Sequence, residues 1–209
     1  MARTTPLGPA DAAPSRPGGL RERKKRATRQ ALQQAAVQLI REHGLGSVTV
    51  DDICARAEVS PRTFFNYFTT KEEVLVPWDP EVVASTPERV VARPAGEPLL
   101  GVVRTVLAET LDTAMAGPTW REQALVLREH PELVGRVAMA SHDLEMALGR
   151  GLAERLGRDG DDGYVRLLAA IGVTTLRVAI ESWQVDADTS VHEFLERAFA
   201  RLDRGLALD

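Results

Sequence analysis

Residues 44–75 read GLGSVTVDDICARAEVSPRTFFNYFTTKEEVL, and this stretch decides the fold. Thr49-Val50-Asp51-Asp52 places an acid three residues after a hydroxyl, the pattern of a capping box. It predicts a short helix running to about Ala57. Ser60-Pro61 predicts a second start, with Ser as N-cap and Pro at the first helical position. Thr70-Lys71-Glu72-Glu73 predicts a further helix start of the same kind. Only Glu58-Val59 separates the first two helices, which is the outline of a helix-turn-helix.

The second of these helices is rich in aromatic residues. Phe64, Phe65, Tyr67 and Phe68 are four of the ten aromatic residues in the chain, and Asn66 is its only asparagine. At helical spacing Phe64 and Phe68 share a face and are expected to pack inward with Ile53 and Val59. The opposite face then presents Arg62, Phe65, Asn66 and Tyr67. Arg can grip guanine O6 and N7, and Asn the N6 and N7 of adenine. Thr49, Ser60, Thr63, Tyr67 and Lys71 are of types that contact phosphate. The expected partner is double-stranded DNA. The bland alternative is a small amphipathic helix with an aromatic core, and the flanking caps, spacing and basic arm weigh against it.

Upstream, Leu32, Ala35, Ala36, Leu39 and Ile40 recur at helical spacing, and Gly44 sits where a C-terminal cap belongs. Before them lies a basic cluster of Arg21, Arg23, Lys24, Lys25, Arg26 and Arg29. Residues 1–19 are mostly Pro, Gly and Ala and are expected to form a flexible tail. The net charge of −4 is unevenly placed. Residues 1–70 hold 11 Lys/Arg against 6 Asp/Glu, and residues 71–209 hold 15 against 24. A basic head on an acidic body points to a polyanion at the head.

The stretch 44–75 resembles the DNA-binding domain of the tetracycline-repressor (TetR) family. The matching positions are Gly44, Thr49-Val50, Ile53-Cys54, Ala57-Glu58-Val59-Ser60, Thr63-Phe64-Phe65, Tyr67-Phe68 and Lys71-Glu72. RATRQALQQAAVQLIREHG, upstream, is similar to the family's first helix. The resemblance implies an all-α fold: a three-helix head, residues 20–76, on a larger helical ligand-binding and dimerisation domain, residues 77–209. It implies a dimeric regulator, most often a repressor, that binds a palindromic operator. This chain departs from the pattern in four places. Phe65 stands where Tyr is usual, Tyr67 where His is usual, Glu58 where the turn has Gly, and Cys54 where Ala is common. Cys54 reads as a small buried residue rather than a redox sensor.

Residues 77–98 hold five of the twelve prolines and read as the connection between head and body. No proline occurs in residues 132–209, so long helices fit there. Val134, Val137, Ser141, Leu144, Leu148 and Leu152 form one apolar stripe. Val191, Phe194, Leu195, Ala198, Phe199 and Leu202 form another, expected as a dimer seam. Residues 165–180 are apolar nearly all round, and Gly172 among them would let a neighbouring helix come close. RPAGEPLL, LVLREHPELVGRV, LAERLG and Trp183 resemble the subgroup that contains the mycofactocin-system regulator. That resemblance implies a small hydrophobic effector of acyl-CoA type. Polar or aromatic side chains on otherwise apolar helices are the candidates to meet it: Trp120, Arg121, Arg128, His142, Thr174, Thr175 and Arg177.

Other function classes find little support in the sequence. There is no phosphate-binding glycine loop, no Gly-x-Ser-x-Gly, and no local Ser/His/Asp or Cys/His grouping, so an enzyme is not expected. His43, His130, His142 and His192 are scattered without an i,i+4 pair, and no metal or cofactor is expected. A single cysteine suggests a reducing compartment, and no uninterrupted apolar run nears the roughly 20 residues of a membrane span. A cytoplasmic, nucleoid-associated protein is the expectation. The rival reading is a helix-turn-helix protein that binds DNA without a small-molecule ligand.

Overall fold

The computed structural model describes residues 18–185 and 188–205, and among them every regular element is helical. The expectation of a flexible tail lies outside these residues except at its end. There Gly18 and Gly19 already belong to α1, Gly18–His43. Helix α1 ends where the sequence placed its stop: Gly44 has φ +81° and its N–H donates to the Ile40 carbonyl. Left-handed backbone of this kind favours Gly.

Helices α2, Val50–Arg56, and α3, Pro61–Phe65, complete the head. Thr49 caps α2 with both halves of the capping box present, and Ser60 caps α3 by accepting from Thr63 N–H. The start predicted at Thr70 yields only a single 3-10 turn over Glu72–Leu75. Two polar groups hold it: Thr70 Oγ1 accepts from Glu73 N–H, and the Glu73 carboxylate accepts from the N–H and hydroxyl of Thr69. Short pieces α4, Pro80–Ala84, and α5, Thr86–Val91, occupy the proline-rich connection. The body follows with α6, Leu99–Met115; α7, Trp120–Glu129; α8, Val134–Leu156; α9, Gly163–Val185; and α10, Val191–Asp203.

Two apolar cores form. The head core gathers Leu32, Ala36, Ile53, Phe64 and Phe68, and it is completed by Val126 and Leu133 from the body. Phe64 and Phe68 are fully buried, as their spacing required. Each such side chain contributes roughly 1.5–3 kcal/mol. The body core is built on Leu107, Leu148, Leu152, Leu176 and Leu195 from α6, α8, α9 and α10. By length and composition α9 is apolar enough to cross a membrane, but here it runs through this core, with Val165, Ala169 and Leu176 buried.

Half of the stripe expected as a dimer seam is used inside the protomer, and Phe194, Ala198 and Leu202 stay half-buried. Val191, Leu195 and Phe199 are buried where α10 packs on α9 and α6. The exposed apolar side chains lie elsewhere. Tyr164, Leu167 and Val178 are spaced to share one face of α9 and are 51%, 58% and 43% exposed.

Close helix approach depends on two glycines. A Cβ at Gly172 would fall 2.4 Å from Val103 of α6, so the expected close approach is present. A Cβ at Gly151 would fall 2.8 Å from the Pro87 backbone of α5. Backbone yields less readily than a side-chain end, so Gly151→Ala is expected to destabilise by about 1–3 kcal/mol, read as a lower urea midpoint. Glu58 takes the left-handed conformation, φ +54°, where a side chain costs about 1–2 kcal/mol. Glu58→Gly is expected to raise the melting temperature, the relief being partly offset by the greater freedom of Gly in the unfolded chain.

Candidate functional site

The exposed face of the head is set by what its other face buries. Because Phe64 and Phe68 point into the core, Arg62, Phe65 and Asn66 stand exposed and Tyr67 half-exposed. Phe65 is held edge-on to Phe64, ring centroids 5.4 Å apart, and remains 57% exposed. Ser60 and Thr63 share a hydrogen bond between their hydroxyls, 2.9 Å. Asn66 is the C-cap of α3.

Three side chains in this region work differently from their sequence-level reading. Thr49 donates both its N–H and its hydroxyl to the Asp52 carboxylate, at 2.9 and 2.6 Å, which holds that carboxyl below the usual aspartate range. Lys71 donates to the carbonyls of Leu45 and Val48, at 3.0 and 2.8 Å, tying the start of the 3-10 turn Glu72–Leu75 to the α1–α2 loop. Arg29, counted in the basic cluster, turns inward. Its guanidinium lies 4.3 Å from the Phe68 ring centroid and donates to the Tyr67 carbonyl at 3.2 Å. Burial lowers its pKa, partly opposed by Asp79, Glu73 and Glu81.

The rest of the cluster stays on the surface. Arg21, Arg23, Lys24 and Arg26 are exposed along the first turns of α1, and Lys25 pairs with Glu81 of α4. Lys25 and Arg26 share a small cleft with Asn66 and Tyr67, so the basic arm meets the end of α3. Cys54 is buried, and burial, with the charge of Asp51, pushes its thiol up, away from the reactive thiolate.

Behind the head lies a cavity of about 480 Å³, walled by α7, the first half of α8 and one side of α9. That volume suits a drug-sized ligand. Of the residues singled out in the sequence, Trp120, Arg128, His142, Thr174 and Arg177 line it. Two do not. Arg121 is exposed, with its guanidinium 5.2 Å from the Trp183 ring centroid, and Thr175 is buried and donates to the Ile171 carbonyl. Trp78, Ser141, Glu145 and Gln184 line the cavity and were not foreseen. Trp78 carried a signal, a large aromatic ring in a proline-rich connection.

The cavity is linked to the head through α7. Gln123 is buried and donates to the Val74 carbonyl at 3.2 Å, directly beneath the head core. Val126 of the same helix closes that core. Among the described residues no group of His, Cys, Asp and Glu is placed to hold a metal ion.

The comparisons agree with this two-part layout. Residues 32–76 match the profile of bacterial regulatory proteins of the tetR family, and residues 97–207 match the MftR C-terminal domain. The HTH-type transcriptional regulator TcmR of Streptomyces glaucescens is 34% identical over 205 residues, covering 94% of this chain and 86% of its own. MftR of Mycobacterium tuberculosis is 24% identical, covering 88% of this chain and 93% of its own. The fold matches SmeT, repressor of the Stenotrophomonas maltophilia multidrug efflux pump SmeDEF, with a TM-score of 0.52 and 18% identity over 84% of this chain and 88% of that one. Relatives and family are regulators of transcription rather than enzymes. The chain belongs to the TetR family of transcriptional regulators, with a helix-turn-helix head and a body of the MftR type.

Proposed function

We propose that this protein is a ligand-released dimeric repressor, confined to the cytoplasm and nucleoid. Two heads would read the half-sites of a (pseudo)palindromic operator, and a small hydrophobic effector would enter the cavity of the body. The domain division we propose falls at residues 76–77. One observation carries this reading: the cavity wall and the head core share a helix. Trp120 of α7 lines the cavity, and Gln123 and Val126 of α7 contact the head. An effector that displaces α7 therefore changes the seating of the head.

In this reading Arg62 and Asn66 contact base edges, and Phe65 contacts thymine methyl groups. Ser60, Thr63 and Tyr67 contact phosphate, as does Lys71 through its remaining N–H. Thr49 serves mainly as the cap of α2. Arg62→Ala and Asn66→Ala are each expected to cost about 1–3 kcal/mol on an operator selected from a random pool, and to relax preference at particular base pairs. Replacing thymine by uracil across that operator is expected to weaken the native protein and leave Phe65→Ala unaffected. Equal losses in both proteins would remove Phe65 from base reading.

For the dimer we propose the exposed α9 face of Tyr164, Leu167 and Val178 as the seam. Light scattering is expected to give twice 22.8 kDa at micromolar concentration. Leu167→Asp with Val178→Asp is expected to give monomers that keep their helical circular dichroism. A native monomer would rule the dimer out.

For the effector we propose an apolar molecule with an anionic part, of acyl-CoA type. A ligand that favours the DNA-incompetent seating must, by linkage, bind more weakly when operator is present. A coupling of about 1–3 kcal/mol lowers operator affinity roughly 5- to 150-fold. Titrating operator at fixed salt with and without lauroyl-CoA measures it. His142→Ala is expected to blunt release without changing DNA affinity, and Arg121→Ala to leave both unchanged. No effect of any acyl-CoA on the operator isotherm would sink the acyl-effector reading and leave DNA binding standing.

A further inference from the structure

Two hydrogen-bond donors in the cavity wall have no acceptor. Trp78 and Trp120 both line the cavity and are only 7% and 6% exposed. The indole N–H of each is shut off from solvent and unpartnered. An indole nitrogen can only donate, so no rearrangement of roles satisfies it. Buried donors in native proteins nearly always have a partner, and an orphan calls for an explanation. Two orphans on the wall of one cavity have a common explanation if their acceptors arrive with the molecule that fills it.

The cations of the same wall are already engaged. Arg177 pairs with Glu181 at 2.7 Å, and Arg128 donates to the Gln184 carbonyl at 2.6 Å. Glu145 adds a second carboxylate to the wall. Ser141, His142 and Thr174 supply further donors to the wall, but the two indoles are its donors that are buried without a partner.

We infer that Trp78 and Trp120 form the polar end of the effector site, and that the effector carries carbonyl or carboxylate oxygen that accepts from both indole N–H groups. This rests on the reading of the cavity as an effector site and specifies where the oxygen end lies. The two donors belong to different elements. Trp120 opens α7, whereas Trp78 lies in the connection that leaves the head core at Leu75 and enters the body core at Val76. A ligand whose oxygens engage both indoles ties that connection to α7. Both N–H groups are covered, so the oxygen reaches them only as the wall shifts. Room for the shift exists, because Trp78 also lines a second cavity, of about 500 Å³, on its other side. Arg29 of α1 and Glu73 of the head border that second cavity, so a moving Trp78 ring presses toward the head.

The test uses the full-length protein labelled with ¹⁵N, whose three tryptophans give three indole signals. Trp→Phe variants assign them. The probes are laurate and lauroyl-CoA. Saturation by either is expected to move the Trp78 and Trp120 indole protons downfield, the signature of a new hydrogen bond, and further than the Trp183 proton. Trp78→Phe and Trp120→Phe keep a ring and lose the donor, and each is expected to weaken probe binding about fivefold to tenfold. If a probe raises the melting temperature while both indole protons stay in place, the assignment is overturned and the effector cavity survives. Unchanged affinity in both Phe variants overturns it equally. Should a variant fail to fold, the proton shifts of the native protein decide. If neither probe binds, the acyl-effector reading fails first and the indole assignment falls with it.

Discussion

The head of this protein does not close its own core. Val126 and Leu133, from the body, complete the cluster built on Leu32, Ile53, Phe64 and Phe68, and Gln123 satisfies the Val74 carbonyl beside it. A buried carbonyl left without a donor costs about 1–3 kcal/mol, so the Gln123 amide is a constraint on where α7 sits. The rest of the layout follows from that constraint. The recognition face is aimed by Phe64 and Phe68, whose seating depends on the same core. A displacement of α7 cannot leave the head unchanged, because separating the two exposes apolar surface and an unsatisfied carbonyl together.

Local chemistry was the legible part of the sequence. Caps at Thr49 and Ser60, the stop at Gly44 and the inward pair Phe64 and Phe68 each depend on residues within four positions of one another. Such signals survive in any tertiary context that keeps the helices. The cavity was legible in part, because polar groups on apolar helices are unusual, and His142, Thr174 and Arg128 stood out for that reason. What stayed hidden depends on neighbours distant in sequence. Arg29 looked like one more charge in a basic run. It turns inward because the Phe68 ring and the Tyr67 carbonyl, about forty positions on, offer a π-face and an acceptor. The α10 stripe looked like a surface for a second copy, but apolar periodicity says only that a face is covered, not by whom. Here α9 and α6 of the same chain cover Val191, Leu195 and Phe199, while Phe194, Ala198 and Leu202 stay half-buried. Lys71 illustrates the same limit, since the loop carbonyls that hold it belong to residues more than twenty positions earlier.

The charge split acquires a structural meaning. The arm of α1 concentrates Arg21, Arg23, Lys24 and Arg26 on an exposed surface beside Asn66 and Tyr67. The surplus acid of the body is spread over solvated surface, several of its members in i,i+4 helical pairs such as Arg177–Glu181 of α9 and Arg197–Glu193 of α10. Exposed pairs of this kind contribute little stability, about 0–1 kcal/mol each. Their consequence is orientation. An acidic body is repelled by phosphate while the head is attracted, so the molecule approaches a duplex head first.

The division of α8 shows where motion is available. Its second half is anchored: Leu144, Leu148 and Leu152 are fully buried, and Gly151 brings the α5 backbone against it. Its first half is bare by comparison, with Val134 and Met139 63% and 67% exposed and a cavity on either side of the helix. Burial of a leucine is worth roughly 1.5–3 kcal/mol, so the anchored half resists displacement several-fold more strongly than the bare half. A helix packed tightly along one half and loosely along the other moves more easily along the loose half. That half follows Leu133, which is seated in the head core. In the proposed mechanism, loose packing at residues 134–143 is the condition under which a change in either cavity reaches the head without unfolding the body.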